Sequence, residues 1–292
     1  MEDNAVPVEN SILLSRSFRK HGILHELHLF PVGPHGMQLG YGRSDIAQWP
    51  EQAAEFLYGS CGFYRADRPE KPRTIVLTFD DAVKSHLKNV APVLKKYGFN
   101  ATFFVTRFDD EWRKKNKTHL LSGKEIRRLH DMGFEIGNHT WSHSEFNCLS
   151  EKEIAGEIGK LNDFLSEYGI PKPVSFAYPN GVPADNAIPV LRKFGILAAR
   201  TTEIAPWNLK KHDLMHVPGT ALQLDGMLSF YHAIGSADSE HVPVLLFHGV
   251  PEAVHDWVNT SPAFFEKCMK FLYDNDYRVI SMREYLEENG LC

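Results

Sequence analysis

The chain has 292 residues, 43% of them hydrophobic and 24% charged, with a formal net charge of −5. That size suits one large α/β domain with an extension, or two modest domains, and the lack of any dense Lys/Arg run or basic stripe argues against nucleic acid as a partner. No apolar run approaches bilayer length, and the opening MEDNAVPVEN has neither the positive n-region nor the apolar stretch of a signal peptide, so a cytoplasmic protein without a membrane span is expected.

Residues 1–72 have a texture of their own. GILHELHLFPVGPHGMQLGYG reads as a β-hairpin around Val-Gly-Pro-His-Gly, a short helix is expected near 46–57, and RPEKP (68–72) reads as a linker. This N-terminal hairpin/helix extension is expected either to cover the main domain or to join a second copy of the chain. The four cysteines, Cys61, Cys148, Cys268 and Cys292, form no CxxC pair, which leaves reduced thiols as the simplest expectation.

From residue 73 onward, strand and helix patterns alternate. TIVLTF (74–79) is a short β-branched and aromatic run, hence a buried strand, and KSHLKNVAPVLKKYG (84–98) has helical spacing closed by Gly98. ATFFV (101–105) and FEIGN (134–138) read as strands, and the capping boxes Ser122 to Glu125 and Ser150 to Glu153 each open a helix. Strands follow at 174–178, 196–200, 242–248 and 277–281, with helices near 185–194, from Ser261–Pro262, and over MREYLEE. Such alternation implies parallel βα units, and this many imply a barrel-like α/β domain over 73–292.

In parallel α/β folds the reactive groups gather at the carboxyl ends of strands. Four strand ends carry chemistry here. TFDD ends in Asp80 and Asp81, which either cap the next helix or, where the strand breaks, turn both carboxylates to one site. The stretch NHTWSH puts His139 and His143 four apart, a spacing open to surface polarity or to a metal pair. Strand 174–178 runs into YPNG, and strand 242–248 ends at His248. Trp207 and Trp257 are each open to packing or to stacking on a sugar ring.

Taken in order, TFDD, HTWSH, FAYPNG and LLFH resemble the motifs of the polysaccharide deacetylase family, also called the NodB-homology group or carbohydrate esterase family four. The resemblance covers roughly 74–292 and implies a distorted (β/α) barrel that removes an acyl group, usually acetyl, from an amide nitrogen on a sugar. It implies Asp81, His139 and His143 as ligands of a divalent metal, most simply zinc, with Asp80 as general base and His248 as general acid. The loop Tyr178, Pro179, Asn180 would contribute substrate contacts, with an oxyanion-stabilising N–H at Asn180. Ala177 and Asn180 stand where many members carry an arginine and a tyrosine, so Arg200 is the candidate to orient Asp80. The partner implied is an N-acetylated glycan. Competing expectations are a cytosolic hydrolase of small amides, such as cyclic imides or formyl groups, and a non-catalytic carbohydrate-binding protein on the same scaffold.

Overall fold

In a computed structural model that describes residues 8–29, 48–60, 73–223 and 225–292, the strand patterns become one sheet. Its strands are β1 (Thr74–Phe79), β2 (Thr102–Val105), β3 (Glu135–Asn138), β4 (Ser175–Ala177), β5 (Ala198–Arg200), β6 (Thr220–Ala221), β7 (Val244–Phe247) and β8 (Arg278–Ile280). The order is β5-β4-β3-β2-β1-β7-β6, with β8 paired to β1, and every pairing among these strands is parallel. The two ends of that order meet across one segment. Val217 bridges Arg200 of β5, and Thr220–Ala221 a few residues on pair with Leu245–Leu246 of β7. The result is a distorted (β/α) barrel, as the sequence led us to expect.

The distortion has a visible cause in β1. Its first half, Thr74–Val76, pairs with β8, while Thr78 and Phe79 pair with β2. Asn100, just ahead of β2, donates to Val279 O of β8 at 3.1 Å. So β8 serves the amino-terminal half of β1 and β2 the carboxyl-terminal half. Five of the six β1 residues are buried, in keeping with a parallel strand covered on both faces. Phe79, fully buried, stacks on Phe103 (5.0 Å) and Phe247 (5.8 Å) directly before the two aspartates. Burying such a ring stabilises by roughly 1.5–3 kcal/mol, which gives the reactive strand end a firm floor.

The helices are α1 (Val8–Lys20), α2 (Trp49–Ala54), α3 (Ala91–Tyr97), α4 (Asp110–Asn116), α5 (Gly123–Asp131), α6 (Glu151–Glu167), α7 (Ala187–Lys193), α8 (Met227–Ile234), α9 (Pro262–Asp274) and α10 (Met282–Glu288). The boxes Ser122–Glu125 and Ser150–Glu153 open α5 and α6, and a third, Ser281–Glu284, opens α10. Ser261 caps α9 through Phe264 N with Pro262 in its first turn, and Gly98 ends α3 with a left-handed φ of 69°. The helix expected over 84–98 starts with π-type turns, His86–Val90, before settling into α3.

Two compact units are present, one of residues 1–68 with 227–231, the other of 69–226 with 232–292. In the smaller one the short helix expected near 46–57 is α2, continued by a π-type stretch Glu55–Ser60. Helix α1 was not foreseen; none of its residues is buried, so it carries no core-facing stripe to read. The expected hairpin turn (32–36) and linker (68–72) lie outside the described residues. No helix among the described residues is long and apolar enough to cross a membrane.

Candidate active site

The break after β1 decides what the two aspartates do. Asp80 N still donates to Phe247 O of β7 (3.0 Å), but Asp81 and Ala82 adopt φ of 75° and 51°. Two left-handed residues in succession, neither of them glycine, are costly. They turn the chain so that both carboxylates enter one cleft at the strand ends, each residue only 3% exposed.

Two further turns bring the imidazoles there. His139 N donates to Val105 O (2.9 Å), continuing the β2–β3 pairing, and Asn138 Oδ1 accepts from Thr140 N (2.9 Å). Thr140 Oγ1 then accepts from His143 N (2.9 Å), and Thr140 and His143 both have positive φ. The Nδ1 of His139 is 2.8 Å from Ala177 O, so it carries the proton and leaves Nε2 bare. That Nε2 lies 3.8 Å from Asp81 Oδ1, and His143 Nε2 lies 3.6 Å from the same oxygen.

Ligand atoms of Asp81, His139 and His143 therefore all fall within 4.8 Å of one another. Asp81 Oδ1 is buried and has no hydrogen-bond partner, a costly state for a carboxylate oxygen. Burial, with the charges of Asp80 and Glu252, pushes the Asp81 carboxyl up to about 7 despite His248 and Arg200. Burial lowers His139 to about 3, against the pull of Asp80, and lowers His143 as well. Two neutral imidazoles and an orphaned carboxylate oxygen converging on one point suit a divalent cation of the zinc type.

Asp80 has a different environment. Arg200, fully buried at the end of β5, donates through Nη2 to both of its oxygens at 2.6 and 2.5 Å. Burial raises the Asp80 carboxyl, but Arg200, His139 and His248 outweigh it, and the group sits below its ordinary value. Gly219 makes room for this arginine: a Cβ there would lie 2.6 Å from Arg200 Cδ and 2.8 Å from Thr201 O. Arg200 is thus the arginine that holds Asp80 in this structure.

His248 follows β7 and lines the same cleft, with its carbonyl accepting from His86 Nε2 at 3.0 Å. Asn180 also lines it, with φ of 54° and a side chain that donates to Glu145 Oε1 at 2.6 Å. Tyr178 and Pro179 are not among the lining residues. The Tyr178 ring is fully buried against Phe146 and Phe176, and its N–H donates to Arg200 O (3.0 Å). An apolar ring at the end of a buried strand packs inward, so these two residues shape the turn and only Asn180 reaches the cleft. Trp207 is likewise fully buried, against Tyr285, and is removed from the sugar-stacking candidates.

One group was missed. His255 lines the cleft and brings Nδ1 to 4.0 Å from Asp81 Oδ2. Its loop is fastened by the buried Glu252, whose carboxylate accepts from Gly249 N (3.1 Å), Ala253 N (2.9 Å) and Val254 N (2.9 Å). The available signal was a second histidine seven residues after His248, in HGVPEAVHDW.

Fold and site together define a scaffold of the NodB type, with a carboxylate–imidazole centre at the strand ends of a distorted barrel. Residues 67–199 match the family described as Polysaccharide deacetylase. Among curated relatives, the poly-β-1,6-N-acetyl-D-glucosamine N-deacetylase of Staphylococcus aureus is 26% identical over 196 residues, 64% of each chain. An uncharacterised 30.6 kDa protein of Geobacillus stearothermophilus is 27% identical over 169 residues, 56% of this chain and 60% of that one. The chain thus spans less than two thirds of the length of these relatives. Among solved structures, the Bacillus subtilis peptidoglycan deacetylase PdaC (TM-score 0.52, 21% identity, 75% of this chain and 93% of that one) shares the fold. So does a carbohydrate esterase family four pseudoenzyme from Bacillus anthracis (TM-score 0.52, 20% identity, 76% and 67%).

Proposed function

We propose that this protein is a divalent-metal-dependent hydrolase that removes an acetyl group from an amide nitrogen of an N-acetylated sugar or polysaccharide. The observation that carries the reading is the pairing of two unlike carboxylates. Asp81, orphaned among neutral imidazoles, is arranged to hold a cation, and Asp80, clamped by Arg200 and kept ionised, is free to act as a base.

A cation held by Asp81, His139 and His143, zinc by the choice of donors, would polarise the amide carbonyl and raise the acidity of water at the site. Asp80 takes the proton from the attacking water, and Arg200 keeps that carboxylate oriented and charged beforehand. The backbone N–H at Asn180, on a left-handed turn facing the cleft, is the oxyanion donor, a type of contact worth about 10²–10³ in rate. An amide nitrogen cannot leave as an anion. His248 therefore supplies its proton, and the free amine and acetate are the products.

The test is acetate release from N-acetylated β-linked glucosamine oligomers by the chelator-treated protein before and after zinc is restored. Zinc-dependent release supports the reading. No release with zinc bound and confirmed by calorimetry would refute it.

A further inference from the structure

One buried histidine takes no part in the chemistry set out above. The His86 ring is fully buried, edge-on to Phe79 at 5.5 Å and tilted against Phe103 at 5.3 Å. A phenyl ring would suit that seat without burying a polar atom. The imidazole instead leaves Nδ1 buried with no hydrogen-bond partner, a costly state, while Nε2 donates to His248 O at 3.0 Å. A carbonyl only accepts, so the proton is on Nε2. Burial outweighs that bond and lowers the group to about 4, so the ring is a neutral donor at neutral pH. The bond to His248 O is the contact a phenyl ring could not make.

His248 needs such a partner because β7 ends at Phe247 and the His248 carbonyl lies beyond the sheet. The next two residues, Gly249 and Val250, are buried. Besides the Gly249 N–H taken by Glu252, their polar backbone is met from one stretch of chain. Val250 N donates to Ser85 Oγ (2.9 Å), and Val250 O accepts from Asn89 Nδ2 (2.7 Å). Ser85, His86 and Asn89 therefore grip residues 248–250 at three points. They lie at and beside the π-type turns His86–Val90, a backbone form that recurs at functional sites. The chain leading there from Asp81 is tied as well. Ala82 O accepts from Leu121 N (2.8 Å), and Lys84 N donates to His119 O (2.8 Å).

We propose that His86 is the positioning residue for His248, its Nε2–H, with Ser85 and Asn89 beside it, fixing the loop backbone so that the His248 side chain is held in the cleft beside the carboxylates. This rests on the deacetylase reading above, in which His248 delivers a proton to the leaving nitrogen. One stretch, 80–89, then carries the base at its start and the grip on the acid at its end, and the two move together. Proton delivery depends steeply on the placement of the donor. His86 acts on it through the backbone of His248 and touches no substrate, so its effect falls on kcat.

Two variants test this. His86→Phe keeps a ring between Phe79 and Phe103 and removes the donor, whereas His86→Gln keeps an N–H at the same reach. In the zinc-loaded protein, acetate release from N-acetylglucosamine oligomers by His86→Phe falls about 10–10²-fold in kcat, with KM within a few-fold, and His86→Gln recovers most of the loss. Amide hydrogen exchange read by mass spectrometry follows the loop without turnover. In His86→Phe, exchange over residues 248–255 rises several-fold while that of β1 stays as in the wild type. Wild-type kcat in His86→Phe, or a loss that His86→Gln leaves in place, overturns the assignment, as does unaltered exchange over 248–255. No acetate release by the wild type would instead sink the deacetylase reading, and the exchange comparison would still decide whether His86 holds the loop.

Discussion

Replacing Arg200 with methionine tests the most consequential contact in the cleft. The pair is buried on both sides, with side chains 0% and 4% exposed, and one guanidinium nitrogen spans both oxygens of Asp80. Methionine keeps much of the volume against Phe104, over whose ring the guanidinium lies at 5.3 Å, so cavity formation is a minor part of the effect. What remains is a carboxylate in a dry site without its partner, which costs about 3–5 kcal/mol. At about 2–4 °C per kcal/mol for a domain of this size, the midpoint of thermal unfolding at pH 7 falls by roughly 6–20 °C. The sign with pH is fixed by linkage. The folded Asp80 lies below its ordinary value, so the pair's contribution is present above the carboxylate range and lost as pH falls through the folded value. The gap between wild type and Arg200→Met therefore closes in acid. Adding Asp80→Asn removes the stranded charge, and the double variant melts above Arg200→Met while staying inactive. Equal melting of wild type and Arg200→Met at pH 7, or a double variant no more stable than the single one, would show that the pair does not hold Asp80 as described.

Three other outcomes follow from the same geometry. Asp80→Asn lowers deacetylation by about 10²–10⁴-fold while cation affinity, measured by calorimetry, stays within a few-fold; loss of cation binding would move Asp80 into the ligand set. Because the Asp81 carboxyl is pushed up to about 7 in the metal-free protein, a cation must displace its proton. Zinc affinity then falls about tenfold per pH unit below that value and levels off above it, whereas a flat profile from pH 5 to 8 would show that Asp81 is not a ligand. Gly219→Ala forces a methyl against Arg200 Cδ and Thr201 O; the overpacking costs about 1–3 kcal/mol in urea unfolding and displaces the arginine, so activity drops with stability. Wild-type melting and activity in that variant would mean the cradle is looser than its distances indicate.

The barrel was legible because its strands are buried on both faces and so read as short apolar runs, and because serine–glutamate capping boxes announce α5 and α6 from local chemistry alone. Elements without a buried stripe, α1 and α4, gave no such signal, and the two-residue β6 is too short to carry a pattern. At the site, spacing and strand-end position singled out Asp80, Asp81, His139 and His143, but not how the aspartates share the work. That depends on the backbone of Asp81 and Ala82 and on an arginine 120 residues away along the chain. Tyr178 illustrates the opposite error: a strand-end tyrosine looked available, yet the strand's last side chain points into the core. His255 escaped because its importance comes from a loop shape that Glu252 imposes, and no pattern in the sequence encodes that.

The placement of β1 divides the molecule by how easily its parts can change. It pairs with β7 along its upper half and with β8 and β2 in turn along its other edge. Its amides should therefore be among the last to exchange with solvent. The carboxylates that follow it share that permanence, so the reaction centre persists through partial openings and does not need to be assembled by its substrate. The segments that line the cleft after β2, around Phe108 and Trp112, and beyond Glu252, around the exposed Trp257, have no such anchoring in the sheet. Mutation can therefore reshape the rim of the cleft there while the carboxylates beneath it stay where β1 puts them.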